Sequence, residues 1–281
     1  MTEQFDLAST ATGVAYRIWV QCPATPPPPD GFPVFLATDA NGCFGIIAEA
    51  AALRALADLR PAIIVGVGYP DASVEEALLL RNSDLTPPGA LPPFLQPAPG
   101  RDSGGADAFR RFLVDDLRPE IIRRWPARAD QWALFGHSLG GLFALHTLVS
   151  EPDAFAVYVA SSPSLWFDDR ALFSRLDAAI ARLTALPRPP RVLVTVGGRE
   201  DRMEAPEGYP EDARDAGDAF FASGAMIANA EQFAQALGAA LPNGTVALRL
   251  IADEGHMSVL LPAISKALSF ALGPRSLFFP E

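Results

Sequence analysis

The sequence predicts an α/β fold with a mostly parallel central sheet and helices on both faces. Three observations lead there. Short apolar, β-branched runs alternate with longer helical patterns. Most of those runs are continuously apolar, as strands buried on both faces require. No internal repeat and no long linker divides the 281 residues.

Taken in order, VAYRIWV (14–20) alternates like an early antiparallel strand. FPVFLAT (32–38), AIIVGVGY (62–69), QWALFGH (131–137), FAVYVASS (155–162), RVLVTVG (191–197) and VALRLIA (246–252) read as buried strands. Helical patterns fall near 43–59, 105–125, 139–150, 170–185, 225–241 and 258–272. PATPPPPDG (23–31) reads as a stiff polyproline connection between early strands. Two longer irregular stretches, 86–100 and 198–218, read as loop insertions over one end of the sheet. The first would sit between a strand and a helix beginning near Asp107. The expected organisation is one domain over 1–281.

Hydrophobic residues make up 49% of the chain, enough for a sizeable core. A net charge of −11 argues against a nucleic-acid partner, because phosphate binding needs a basic face. Two cysteines, Cys22 and Cys43, form neither a disulfide framework nor a zinc motif. MTEQFDLAST lacks the basic start and apolar run of a signal peptide, so a cytoplasmic location is expected, or a periplasmic one if a leader was trimmed. No apolar segment approaches the ~20 residues of a membrane span. Oligomeric state is not legible, and SLFFP (276–280) is an interface or a packed tail.

Chemistry concentrates at Gly136-His137-Ser138-Leu139-Gly140. A strand that ends abruptly, a strained serine and a helix that starts at once would hold a hydroxyl out at the sheet's C-terminal edge. The flanking glycines are needed where a side chain would strike crossing backbone. The competing reading is a serine N-cap followed by small packing residues.

A serine nucleophile needs a base, and the chain has three histidines. His137 would point away from its neighbour, and His146 falls about two turns into the following helix. His256 follows the last strand and precedes the last helix, so it is the expected base. Glu200 or Asp201, after RVLVTVGG, would orient it, with Asp253 as a third choice. Leu139 N–H is one expected oxyanion donor. The other is Ala40 N–H in FLATDANGCF, with Asp39 and Asn41 as neighbours that could serve instead.

These residues resemble the putative-esterase (esterase D-like) branch of the α/β hydrolases, and within it the siderophore esterases of the IroE and Fes type. VGVGYP (65–70), RNSDLTPP (81–88), SGGADAFRRFLVDDLRPEI (103–121), GHSLGGLFAL (136–145), SSPSLWFDD (161–169) and EGHMSV (254–259) look like successive blocks of that group, in order, from about Gly13 to Leu272. The resemblance implies an α/β-hydrolase fold and a serine esterase acting on the ester backbone of an enterobactin-like siderophore. Ser138 would attack and His256 would relay the proton. Glu200, in its Gly-Arg-Glu context, would be the acid, although some members work with a Ser–His dyad.

Arg81 would face anionic or carbonyl groups of the substrate, unless it is a salt-bridge partner of Asp84. Trp166 would wall an aromatic pocket, unless it packs on the 86–100 loop. No cofactor or metal is implied, and ferric iron would arrive with the substrate. Other readings within the fold are a feruloyl, acetyl or formylglutathione-type hydrolase and an acyltransferase. The group's Asp-Gly-Asn is here Asp39-Ala40-Asn41, which touches the second oxyanion donor.

Overall fold

A computed structural model describes residues 2–92 and 95–279. Pro93 and Phe94, inside the proline-rich 86–100 stretch, and Pro280, at the end of SLFFP, lie outside the described residues.

Eight strands form one sheet in the order β1-β2-β4-β3-β5-β6-β7-β8. Strands β1 (Thr2–Ala8) and β2 (Ala15–Gln21) pair antiparallel with each other, and β2 pairs antiparallel with β4 (Ile63–Gly68). The rest are parallel: β3 (Phe32–Ala37), β5 (Ala127–His137), β6 (Val157–Ser161), β7 (Arg191–Gly197) and β8 (Val246–Ile251).

Alternate side chains of each central strand serve opposite faces. Val34 and Leu36 of β3 join a core with Phe109, Leu142, Leu183 and Phe233. These come from α3 (Ala106–Arg111), α5 (Leu139–Ser150), α7 (Leu176–Ala185) and α9 (Met226–Ala240). Phe35 and Ala37 face the other way, toward Ile47 of α1 (Ala40–Arg54) and Leu268 of α10 (Leu260–Leu272). With apolar helices on both faces, the central strands need the continuous hydrophobic runs seen in the sequence. The fold is the expected α/β hydrolase, and no helix among the described residues is long and apolar enough to cross a membrane.

Three elements depart from the sequence reading. Strand β1 was not expected, because TEQFDLA lies at the sheet edge with mostly exposed side chains and carries no buried run. Helix α2 (Val74–Asp84) occupies a stretch with no helical assignment, so the 86–100 region connects two helices rather than a strand and a helix. The 198–218 region is irregular only to Pro210, and α8 (Glu211–Gly224) begins inside it.

The 105–125 pattern is one helical path of α3, a widened π-type stretch Phe112–Leu117 and α4 (Arg118–Arg124). In the 170–185 pattern, regular α7 begins only at Leu176, after the short turn α6 (Phe167–Arg170). The tail folds back, with Phe278 buried edge-on against Phe270 of α10.

Candidate active site

Strand β5 delivers Ser138 to the middle of the sheet's C-terminal edge. Its backbone stands at φ 59°, ψ −117°, a strained conformation for a residue with a side chain. The surroundings enforce it. Ser138 N–H donates to Ser161 O (2.9 Å), and Ser138 O accepts from Leu142 N–H (2.9 Å) and Ser164 N–H (3.2 Å). A Cβ on Gly136 would overlap the carbonyl of Gly140, and one on Gly140 would lie 2.6 Å from Thr38 Oγ1. The two glycines are thus steric requirements of the turn. The N-cap alternative is not what the geometry holds, for the Ser138 side chain makes no cap hydrogen bond.

His256 Nε2 lies 3.0 Å from Ser138 Oγ, and His256 Nδ1 lies 2.8 Å from Glu200 Oε2. An ionised carboxylate only accepts, so Nδ1 carries the proton and Nε2 presents its lone pair to the hydroxyl. Glu200 is fully buried. Its second oxygen, Oε1, accepts from Gly197 N–H (2.7 Å) and from the Ser162 hydroxyl. Those two donors offset the cost of burying the carboxylate and fix its plane. The other acid candidates go elsewhere. Asp201 pairs with Arg202, and Asp253 pairs with Arg199, both toward solvent.

His137 lies against His256 with the rings tilted (centroids 4.9 Å apart, 37° between planes) and Nδ1 3.1 Å from Ser161 Oγ. Burial first, then repulsion from His256 in its protonated form and from the Arg81 guanidinium, pushes His137 well below the ordinary histidine value. It stays neutral beside His256. His146 is buried on α5, far along the helix from Ser138, with Nε2 3.0 Å from Asp107 Oδ1.

Leu139 and Ala40 are the first residues of α5 and α1, and helix geometry leaves such N–H groups without an internal acceptor. Strands β3 and β5 are neighbours, so both helix starts emerge at one place. Asp39 adopts a left-handed turn (φ 59°) that launches α1. Buried Arg81 grips it through Nε and Nη2 (Nη2–Oδ2 3.1 Å) and also donates to His137 O (3.1 Å). The expected alternative partner of Arg81, Asp84, instead binds Arg101 and Tyr69. Arg81 therefore ties the two loops that carry Ala40 and Ser138.

Trp166 is half-buried and meets Phe220 edge-on (5.1 Å). With Leu95, Phe221, Ser138 and His256 it lines a cavity of about 110 Å³. Phe220 and Phe221 come from α8, the helix hidden in the charged stretch, and sequence reasoning missed them. Ser162 was also missed. It lies in the quoted SSPSLW block, but nothing in the sequence ties it to Glu200.

The family model described as putative esterase matches residues 9–218. The ferri-bacillibactin esterase BesA of Bacillus subtilis is 33% identical, over 97% of this chain and 90% of its own. A siderophore enterobactin esterase of Emericella nidulans is 32% identical, over 83% of this chain and 79% of its own. Among solved structures, the siderophore hydrolase EstA from Aspergillus nidulans superposes with a TM-score of 0.82 at 27% identity, covering 96% of this chain and 93% of that one.

Proposed function

The chain belongs to the putative-esterase family, and from that premise we propose that it is a serine esterase that cleaves the ester backbone of an enterobactin-like siderophore. The observation that carries the chemistry is the unbroken line Glu200–His256–Ser138, with spacings of 2.8 and 3.0 Å. Residues 1–281 act as one unit in this reading, since a single sheet supports every one of these side chains.

His256 Nε2 accepts the proton of Ser138 as Oγ attacks the ester carbonyl. The imidazolium that forms is held by Glu200 through its contact with Nδ1. Leu139 and Ala40 N–H stabilise the oxyanion, in a field strengthened by two helix N-termini. His256 then protonates the departing alkoxide, and an acyl-enzyme on Ser138 remains. Water attacks that ester with the same base and the same donors. Neutral His137 next to the base keeps the proton transfer confined to one imidazole.

The substrate class rests on the names of the relatives: bacillibactin, enterobactin and triacetylfusarinine C esters. Trp166, Phe220 and Phe221 supply an aromatic wall suited to a flat ring beside the scissile bond.

Turnover of a catecholate trilactone against p-nitrophenyl butyrate tests the reading. A strong kcat/KM preference for the trilactone supports it. Fast butyrate turnover with an untouched trilactone keeps the mechanism and refutes the substrate.

A further inference from the structure

The space around Ser138 is divided in two, and the halves differ in size and chemistry. Ser138, His256 and Arg81 line both the small aromatic cavity and a second one of about 450 Å³. The sheet order explains the division. Ser164 and Trp166 of the small cavity follow β6, on one side of β5. Asp39 and Tyr69 of the larger follow β3 and β4, on the other. The two cavities therefore flank the nucleophile.

An ester carbonyl attacked at Ser138 carries two substituents, the acyl chain and the alcohol. With the oxyanion directed to Leu139 and Ala40, those substituents must leave the reacting carbon in different directions. The smaller cavity, at about 110 Å³, has roughly a quarter of the volume of the larger, at about 450 Å³. The larger falls in the range that takes a whole small-molecule fragment, roughly 300–1,000 Å³.

The larger wall is apolar: Cys43, Val74, Leu78, Phe135, Met257 and Leu260. Its charged residues, Asp39 and Arg81, are spent on each other in an ion pair. At the mouth, Val74 and Leu78 are each 51% exposed and Met257 is 73% exposed, a group of large apolar side chains in water.

Resting on the esterase reading above, we propose that this larger cleft is a second substrate subsite, which takes a neutral, apolar alkyl or aryl substituent of the ester. The aromatic cavity takes the other, more compact substituent. Val74, Leu78 and Met257 cover the ligand, and the paired Asp39 and Arg81 close the inner end without a net charge. An ionised substituent finds no counter-charge there and is disfavoured.

Two substitutions at the mouth test this. Leu78→Trp fills the cleft from an exposed helix face. Val74→Glu puts a charge at its rim at the first position of α2, where a carboxylate is compatible with the helix. Each variant is assayed on two ester series, p-nitrophenyl esters from acetate to decanoate and acetates of alcohols from methyl to naphthylmethyl. The expected result is that the kcat/KM ratio of the bulkiest to the smallest member falls at least tenfold in one series, for both variants. The series that responds tells whether the acyl group or the alcohol occupies the cleft. Ratios unchanged in both series overturn the subsite. Wild-type protein is treated in parallel with a small fluorophosphonate. Failure of Ser138 to label there refutes the esterase reading itself, whereas labelling with unchanged ratios refutes only the subsite.

Discussion

Glu200 and His256 meet through a 2.8 Å contact at the buried end of the imidazole, and Glu200 is held from behind by Gly197 N–H and Ser162. The carboxylate is thus oriented before any substrate arrives. Glu200→Gln keeps the shape, but its amide oxygen can accept from only one of Gly197 N–H and His256 Nδ1–H, and its NH2 then meets the other with the wrong polarity. It is expected to lower kcat by about 10²- to 10⁴-fold with little change in KM. Steady-state kinetics of Asp201→Asn and Asp253→Asn, whose side chains pair with surface arginines, should stay within about twofold of wild type. A large loss in either, with Glu200→Gln active, would move the acid role.

The Gly136–Gly140 contact makes a steric prediction. Gly136→Ala forces a methyl group into the Gly140 carbonyl, and the loss of folding stability should exceed about 3 kcal/mol by urea denaturation. Gly45→Ala is the comparison. It lies inside α1, where an added Cβ meets open space, so it should stabilise by up to about 1 kcal/mol.

Arg81 predicts a coupling between stability and rate. Arg81→Met leaves Asp39 half-buried without its cation. The expected cost is about 1–3 kcal/mol, reduced from the fully buried case because Asp39 keeps some water. The same change frees the loop bearing Ala40, so kcat should fall more than tenfold. A rate loss without any change in denaturation midpoint would separate the two effects and argue for direct substrate contact by Arg81.

His137 gives the pH dependence. Its folded pKa is depressed, so the unfolded chain takes up a proton that the folded one refuses. The stability it confers is full above the ordinary value near 6.5 and is lost as pH falls below that toward the depressed value. Urea midpoints should drop between pH 7 and pH 5, and drop less in His137→Gln. Because His137 stays neutral, the acid limb of kcat/KM should show the slope of a single proton.

Much of this site was legible because its parts obey local rules. The serine turn needs glycines at fixed offsets, and the base must follow the last strand, so Ser138 and His256 stand out in the chain. Glu200 was one of three choices until its burial separated it from Asp201 and Asp253.

The hidden parts failed for physical reasons. Helix α2 begins at Ser73, whose hydroxyl accepts from Glu76 N–H while Glu76 reaches back to Ser73 N–H. That Ser-x-x-Glu box is a readable start signal, overlooked beside the proline-rich stretch that follows. Helix α8 was masked by its acidic first turns, although Phe220 and Phe221 close its last ones. The Arg81–Asp39 pair joins residues 42 positions apart, and no spacing rule foretells it.

The most direct test of the account is intact-mass analysis after treatment with a fluorophosphonate, on wild type, Ser138→Ala and His256→Ala. One stoichiometric adduct on wild type, mapped to Ser138, absent in Ser138→Ala and at least a hundredfold slower in His256→Ala, is the predicted result. An adduct that persists without Ser138 would contradict the assignment of the nucleophile and, with it, the mechanism.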